Sequence, residues 1–525
     1  MSDIHAQSIP VKAPKKSGFD RGHRFAASTN IGVITPVYAR LYVPGVPFSD
    51  WSEFNIKFSP LNVPIMQRIE ARVDWFAVPL RLLHKDFEDF ITGGKKGDFE
   101  GVPPYTIARG SDPLQTGNFF VKNGLADYLR IQPHKGTGIQ GTGTPINLYK
   151  VLAYHKIWAD YYADEVLDAD AIDDVNDNLP VEGGFHDTNP AAAPWIGDDI
   201  KGLRNICYKK DYFTSAQPEP QRGDAVYLMS PLQVQPLDSV VIDQGQPLTT
   251  GDYDDSTGAY NVWTQDLDSN EVNLRIPLTM HQIEEFRAVQ NWEDNNNLYG
   301  GRYPEQLLGR YGVRPDDARL QRAEFIGGAK FVLQVTEVTQ TSSTNEETGE
   351  KLGGYAGKMQ GLSNTSPVNY FTREHCVIMG LLSLRPEATY AFGTQRDNLY
   401  MSRFDFITPE FDNIGEMAIK QGELFTTGNK ETDEKEFGYQ PIYDDERADT
   451  NYVAGDFRDT LNFWHTAMMF DAAPNLNSEF VHVDHTDFDR IFADADEKDM
   501  HVFFECYHHQ GVLLPLRKFP VKTNI

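Results

Sequence analysis

The side chains nearest the C-terminus come closest to a metal-ligating pattern. His482 and His485 lie beside Asp484, and Cys506 is followed by two further histidines. Imidazole, thiolate and carboxylate groups are the usual ligands of Zn²⁺. On a strand His482 and His485 would point to opposite sides, whereas on a helix they could share a face with Cys506 brought alongside. Exposed loop histidines are the simpler interpretation, and we predict neither a metal site nor a cofactor.

Two acidic segments could hold calcium. Residues 160–187 contain ten Asp and Glu, residues 232–274 contain eight, and neither segment contains Lys or Arg. Neither segment has the complete frame of a calcium loop, with its turn glycine and twelfth-position glutamate. We therefore interpret the first as a solvated loop and the second as a surface excursion. A G-x-G-x-x-G pattern at 136–141 lacks a preceding strand and is interpreted as a loop, not a nucleotide site.

The sequence contains no compact catalytic motif. It has neither a G-x-S-x-G elbow nor an H-E-x-x-H pair. Glycoside hydrolysis needs only two suitably spaced carboxylates, and the chain has 76 acidic residues that could supply them. A carbohydrate-active β-sandwich therefore stays an alternative. We predict that the chain is not an enzyme.

Charge is distributed unevenly along the chain. The 525 residues carry a net charge of −28, yet both ends are basic. Solubilising termini would explain this, and so would two tails that touch an anionic partner. The candidate anion-facing residues are Lys12, Lys15, Lys16, Arg21 and Arg24 at the N-terminus and Arg517, Lys518 and Lys522 at the C-terminus.

The clearest element predicted from the sequence runs from Arg68 to Val78. Apolar residues alternate with charged ones there, as expected of a strand with one dry and one charged face, and Pro79 ends it. A helical stripe over 80–90 follows and stops at Gly93. Further predicted strands are 37–43, 331–335, 376–384, 502–507 and 512–520, and further predicted helices are 147–162, one from about 279, one begun by Pro304 and a short one at 461–468.

Several arginines lie among aromatic residues between Gly300 and Gly328. Guanidinium groups suit carboxylate or phosphate partners. The sequence favours salt bridges within or between subunits over nucleic acid at this cluster.

Six blocks of sequence carry a family resemblance. They are SPLNVPIMQRIEARVDWFAVPLRLLHKDFEDFITGG, INLYKVLAYHKIWADYY, KKDYFTSAQPEPQRG, GGRYPEQLLGRYGVRPDDARLQRAEFIGG, RFDFITPEFDNIGE and the run from Phe437 to Phe480. These blocks resemble the major capsid proteins of microviruses, small tailless bacteriophages with single-stranded DNA, and especially the gokushovirus branch. The resemblance gives a structural or interface role to Arg302, Tyr303, Arg319, Gln321, Arg322, Gly455, Asp456, Phe457 and Arg458.

The resemblance implies a mainly β fold, an eight-stranded antiparallel jelly roll of two facing sheets with helix-containing loop insertions. We expect a basic arm without regular elements over 1–32 and a single jelly-roll domain over 33–525. The expected insertions are 95–145, 163–205, 232–274, 341–366 and 420–436, of which 232–274 is the candidate surface protrusion.

The implied function is that of a structural capsid protein. Copies would self-assemble into a T=1 icosahedral shell around circular single-stranded DNA, and surface loops would attach to a bacterial receptor. Further implied partners are a small basic DNA-packaging protein and minor virion proteins. No apolar run is long enough to insert into a membrane. We expect the protein in the virion, after assembly in the host cytoplasm. A receptor-binding β-sandwich is a further alternative.

Overall fold

The computed structural model describes most of the chain. The described residues are 15–107, 122–131, 145–186, 202–220, 280–299, 302–314, 316–339, 355–411, 415–494 and 500–518. The candidate protrusion 232–274 and the glycine pattern at 136–141 lie outside them.

Strands form two large antiparallel sheets and two small ones. The seven-stranded sheet contains β1 (Ser17–Asp20), β2 (His23–Thr29), β4 (Pro47–Phe58), β10 (Gln334–Thr339), β11 (Tyr355–Asn364), β12 (Val368–Phe371) and β16 (Val502–Leu514). The four-stranded sheet contains β3 (Thr35–Tyr42), β5 (Ile69–Pro79), β9 (Glu324–Val332) and β13 (Cys376–Pro386). The small sheets contain β6 (Pro104–Ile107), β7 (Pro145–Asn147) and β8 (Gly184–Phe185), and β14 (Glu416–Lys420) and β15 (Glu436–Pro441).

Helices occupy the connections between strands. The α-helices are α1 (Phe87–Thr92), α2 (Leu125–Tyr128), α3 (Tyr149–Ile157), α4 (Ala169–Asn178), α5 (Met280–Tyr299), α6 (Tyr303–Tyr311), α7 (Gln421–Leu424), α8 (Lys430–Asp433) and α9 (Ser478–Val481). A π-helical turn, Trp158–Tyr162, extends α3, and short 3₁₀ turns include Leu80–Leu82, Gly455–Arg458, Asn462–Trp464 and His485–Ile491.

Strand order confirms the mainly β sandwich. In the larger sheet β16 lies between the N-terminal strands and β4, and β11 follows β4; the smaller sheet runs β3-β13-β5-β9. Both β1 and β2 pair with β16, and both β11 and β12 pair with β4. Because these strands are interrupted, the described residues form sheets of seven and four strands, and the expected count of eight is not confirmed.

Aromatic side chains join the two sheets across the core. The ring of Trp75 from the smaller sheet lies 5.6 Å from Phe48 and 5.8 Å from His508, both on the larger sheet. Tyr38 lies 5.3 Å from Trp75 on the same sheet. Such large buried rings contribute most of the apolar area that holds two sheets face to face.

The dry face of β5 is confirmed, but its second face differs from the prediction. Asp74, Phe76 and Val78 on that face are also buried. Helix α3 packs over the outer face of the four-stranded sheet and excludes water there. Asp74 is therefore paired, with Arg72 Nε at 2.6 Å and the hydroxyl of Tyr162 at 3.1 Å.

Three predicted segments need correction. Residues 17–29 of the expected irregular arm form β1 and β2, because β16 offers them backbone partners. The acidic segment 160–187 contains helix α4 and buried carboxylates rather than a solvated loop. Residues from 355 onward, expected in a loop, form β11 through pairing with β4 and β10.

Other boundaries shifted. The helix expected after Pro79 is the 3₁₀ turn Leu80–Leu82 followed by α1, which ends at Gly93 with φ 82° as predicted. The two last strands form the single strand β16. The short helix expected at 461–468 is only the 3₁₀ turn Asn462–Trp464. Helices α3, α5 and α6 and strands β3 and β13 confirm their predictions within a few residues.

Candidate functional site

The outer face of the seven-stranded sheet is open to solvent. Along β16 residues alternate between buried and more exposed positions, with Glu505, Tyr507 and His509 on the outer face. On β4 the residues Trp51 and Glu53 share that face. The outer face of the other sheet is covered by α3, so the two sheets present different surfaces.

A row of rings lies on this open face. Trp51 and His509 are direct partners in the ladder, and their rings stack 3.6 Å apart at an interplanar angle of 4°. The ring of Tyr507 meets His509 edge-on at 4.3 Å, and the guanidinium of Arg24 lies 5.6 Å from the Tyr507 ring. The three rings are half-buried, and planar rings at a protein surface can stack with unpaired bases.

A groove of about 620 Å³ runs beside this row. Gly18 and Gly511 line it without side chains, while Trp51 and Leu513 also border it. Because the glycines leave the backbone uncovered, a flat ring could approach the sheet closely there.

The basic termini meet at one end of the same sheet. Ser17 pairs with Leu514, so Lys15 and Lys16 lie beyond one strand end and Arg517 and Lys518 beyond its neighbour. All four are exposed. The ammonium of Lys16 donates to the carbonyl of Gly45 and lies 5.6 Å from the Phe371 ring.

The remaining predicted basic residues differ in their exposure to solvent. Arg24 is exposed and lies 3.4 Å from Glu505, and Arg21 is half-buried. Lys12 and Lys522 lie outside the described residues.

The arginine cluster has an internal role. Arg302 donates to the carbonyls of Asp160 at 2.9 Å, Ala163 at 2.9 Å and Ala159 at 3.2 Å. Arg322 donates to the same Asp160 carbonyl, and its guanidinium lies 4.8 Å from the Tyr161 ring. These arginines therefore satisfy the free carbonyls at the end of the π-helical turn. The hydrogen-bond partners of this pair are backbone oxygens, and the expected salt bridges within or between subunits stay a prediction.

The Asp160 side chain completes the same contact. Its carboxylate accepts from the backbone N–H of Ala323 at 2.9 Å and from Lys156 at 3.0 Å. The hydroxyl of Tyr161 donates to the Ala323 carbonyl at 2.6 Å. A buried carboxylate is tolerated here because it is fully paired.

Other family-motif residues lie nearby or in turns. Gln321, at φ 57°, accepts from Arg81, while Arg319 and Tyr303 are exposed. Gly455, at φ 69°, opens the turn that contains Asp456, and the Phe457 carbonyl lies 2.7 Å from His465 Nε2. Arg458 Nε donates to the Val453 carbonyl at 3.3 Å.

The structure separates the histidines and cysteines that the sequence analysis had considered together. Cys506 points into the sandwich, 3.3 Å from His508 Nε2. His482 instead lies 2.8 Å from Asp168 and 3.7 Å from Cys207. The residues that join His482 are distant in sequence, so no local motif could have identified them.

Asp168, Cys207 and His482 could together hold a metal ion, because their ligand atoms lie within 4.8 Å of one another. Both ring nitrogens of His482 already have oxygen partners, Asp168 at 2.8 Å and the Asn205 carbonyl at 3.2 Å. Burial alone would lower the pKa of His482, but hydrogen bonds with Asp168 and Cys207 raise it to about 10. The arrangement therefore favours an imidazolium–carboxylate pair.

Two carboxyl groups, those of Glu165 and Glu305, line a separate cleft. Burial and a hydrogen bond with Glu165 raise the pKa of Glu305 to about 7. Two carboxyl groups in direct hydrogen-bond contact are closer than the ~5–10 Å that glycoside hydrolysis requires.

Within the described part of the chain, no helix is both long and apolar enough to span a membrane.

Comparison with known proteins agrees with these observations. A family model described as "Capsid protein (F protein)" matches residues 7–515. The chain is 26% identical to "Capsid protein VP1" of Chlamydia phage 1, over 94% of this chain and 93% of that protein. It is 28% identical to "Capsid protein VP1" of Spiroplasma virus 4, over 90% and 88%, and 26% identical to that of Bdellovibrio phage phiMH2K, over 90% and 89%.

These matches confirm the resemblance to microvirus capsid proteins. They give the chain a structural, non-enzymatic role in a self-assembled shell and place it in the virion. Because the family model spans nearly the whole sequence, the chain belongs to the capsid protein (F protein) family.

Proposed function

We propose that the chain is the repeating subunit of a T=1 icosahedral shell around circular single-stranded DNA, and that the open face of the seven-stranded sheet points toward that DNA. The observation that supports this orientation is the meeting of both basic termini beside a sheet face that is partly exposed along the described residues. A chain of net charge −28 repels nucleic acid elsewhere on its surface.

Contacts with DNA would be made chiefly through phosphates. Lys15, Lys16, Arg517 and Lys518 are exposed at this end of the sheet, where the Lys16 ammonium also donates to the Gly45 carbonyl. Lys12 and Lys522 add to the charge of the same basic termini. Such contacts depend little on base sequence and weaken as salt rises. Trp51 and Tyr507 would add stacking with unpaired bases.

Further partners follow from the charge of the assembly. The eight candidate basic residues at the two termini of each copy leave much of the genome charge unbalanced, so a small basic packaging protein would supply the rest. Insertion 232–274 is our candidate for the outer protrusion and receptor contact. Minor virion proteins and assembly in the bacterial cytoplasm complete the proposal.

Charge reversal tests the orientation of the sheet. In particles produced with Lys15→Glu and Lys16→Glu, the DNA content measured by the ratio of absorbance at 260 and 280 nm should fall. The matched control is Lys95→Glu with Lys96→Glu, an exposed lysine pair elsewhere on the chain. Equal DNA content in both variants would overturn the assignment of this face to the genome.

A further inference from the structure

An exposed apolar loop follows the 3₁₀ turn Arg396–Leu399. The 401–411 loop (Met401–Phe411) exposes Met401 by 88%, Phe406 by 60%, and Phe404 and Ile407 each by 56%. Single exposed apolar residues are common on protein surfaces, but four within seven positions form a patch of the kind that marks an interaction site.

The backbone of this loop is held by its own side chains. The carboxylate of Asp405 accepts from the backbone N–H groups of Met401 at 2.8 Å and Ser402 at 2.6 Å. The Phe404 ring lies 5.9 Å from Phe411. The loop therefore presents its apolar side chains from a defined conformation.

Half-buried polar contacts support the loop from below. The hydroxyl of Tyr400 donates to Asp445 at 2.9 Å, and the Tyr400 ring lies 5.3 Å from Phe406. The backbone N–H of Thr408 donates to the hydroxyl of Tyr443 at 3.1 Å. Ordering the loop before it binds reduces the entropy lost on binding, which favours a permanent contact.

We propose that the 401–411 loop is a contact between copies of this chain in the shell, with its phenylalanines buried against a neighbouring copy. A shell subunit must bury extensive surface against its neighbours, and obligate interfaces of this kind are rich in apolar groups. Phe, Met and Arg are the residue types enriched at interface cores. The proposal rests on self-assembly, and it does not depend on which face meets the genome.

The composition of the loop favours a second copy over DNA as the occupant. Arg403 is its single Lys or Arg beside Asp405 and Glu410, so the loop lacks the cluster of cations that phosphate binding needs, while its apolar side chains suit burial against protein. The guanidinium of Arg403 lies 4.7 Å from the Phe404 ring at the edge of the patch. A neighbouring copy of net charge −28 supplies abundant carboxylates for that guanidinium.

Substitution of the two phenylalanines tests the contact. We expect Phe404→Ser with Phe406→Ser to fold but to raise the protein concentration needed for assembly at least about tenfold, measured by sedimentation and negative-stain microscopy. The matched control, Phe404→Leu with Phe406→Leu, keeps the patch apolar and should assemble near the wild-type concentration. Normal assembly of the serine variant would overturn the proposal.

Particles that form normally but fail to infect would also overturn it, since the loop would then serve attachment. If the unsubstituted chain forms no particles, the proposed shell function fails instead, so the two outcomes are distinguishable.

Oxidation of Met401 tests the same contact without any substitution. In the unassembled chain its thioether is open to hydrogen peroxide. In empty particles built from this chain alone, peptide mass spectrometry should show oxidation at least about fivefold slower, because a neighbouring copy covers the loop. An equal rate in both states would overturn the proposal even if the serine variant failed to fold.

Discussion

Ser17 and Leu514 face each other in the ladder between β1 and β16, so the described chain enters and leaves the sandwich at neighbouring points. Basic residues that are about five hundred positions apart in sequence therefore emerge side by side. A phosphate backbone that reaches one tail is also within reach of the other.

Removal of these charges should change the salt dependence of DNA binding. We expect the substitution of Lys15, Lys16, Arg517 and Lys518 by Gln to flatten the plot of log affinity against log salt. The slope should fall by about 0.7 per lost phosphate contact, or about 3 in all. The measurement is the binding of oligo-dT to unassembled protein between 50 and 300 mM salt, roughly the range over which such slopes are resolved. Lys95→Gln with Lys96→Gln is the control, and an unchanged slope in the fourfold variant would contradict the prediction.

The stacked rings predict a second effect on DNA. Trp51→Ala removes the ring that lies on His509 and should weaken oligo-dT binding by about 1–3 kcal/mol for each base that stacks there. Trp51→Phe keeps an aromatic face and should retain most of the affinity. Equal affinities of the alanine and phenylalanine variants would show that the ring itself does not contact bases.

Arg302 should stabilise the folded chain through contacts that a lysine side chain cannot make. Its guanidinium holds three carbonyl oxygens around the π-helical turn, and an ammonium cannot span them in the same plane. We expect Arg302→Lys to lower the free energy of unfolding by about 2–3 kcal/mol, measured by denaturant titration of the unassembled chain. Arg319→Lys, at an exposed position of the same motif, should cost less than about 0.5 kcal/mol.

Strand periodicity explains why much of the sandwich could be predicted. Between Ile69 and Ala77 the period of two fixes which residues face the core, and this needs only local sequence. The apolar run from Cys376 likewise predicted a strand, and β13, which is buried on both faces, confirms it. Interruptions such as the break between β11 and β12 depend on partners in the sheet, so strand count could not be derived in this way.

Long-range contacts explain what sequence analysis missed. The acidic composition of 160–187 suggested solvation, yet Asp160 is buried because Ala323 and Lys156 satisfy its carboxylate. His482 meets Cys207 across 275 positions, so spacing near the C-terminus pointed to Cys506 instead. At the sheet face, Trp51 and His509 were not identified because their pairing exists only in the folded ladder.

The pair formed by His482 and Asp168 should stabilise the fold most from mildly acidic to neutral pH. Burial alone would raise the pKa of Asp168, but hydrogen bonds with His482 and Ser478 lower it, so the pair is lost in stronger acid when that carboxylate is protonated. The pKa of His482 is raised to about 10 from an ordinary 6.5, because hydrogen bonds with Asp168 and Cys207 outweigh burial. The contribution of the protonated His482 side chain to the free energy of unfolding is therefore fully present below pH 6.5 and declines as the pH rises through about 10. We expect His482→Gln to cost about 3 kcal/mol at pH 6, with a smaller cost at pH 9.5 or so, measured by denaturant titration.

The neighbouring His485 provides the control for that experiment. It lies 3.5 Å from Asp484 with both side chains largely exposed, so His485→Gln should change stability by less than about 0.5 kcal/mol at either pH. A cost for His482→Gln that stays constant from pH 6 to 9.5 would show that the imidazolium is not the stabilising form.

Glu305 should give the opposite behaviour to an ordinary exposed glutamate. Burial and the hydrogen bond with Glu165 raise its pKa from 4.5 to about 7, although Arg302 opposes the shift. The folded chain therefore holds a proton that the unfolded chain releases, and this stabilisation is present below pH 4.5 and is lost as the pH rises through about 7. Glu305→Gln imitates the protonated carboxyl at every pH. We expect its melting temperature to approach that of the wild type near pH 5 and to exceed it increasingly toward pH 8, in thermal unfolding of the unassembled chain. Glu165→Gln removes the partner charge and should also raise the melting temperature toward pH 8. A difference in melting temperature between variant and wild type that stays constant from pH 5 to 8 would exclude a shared proton.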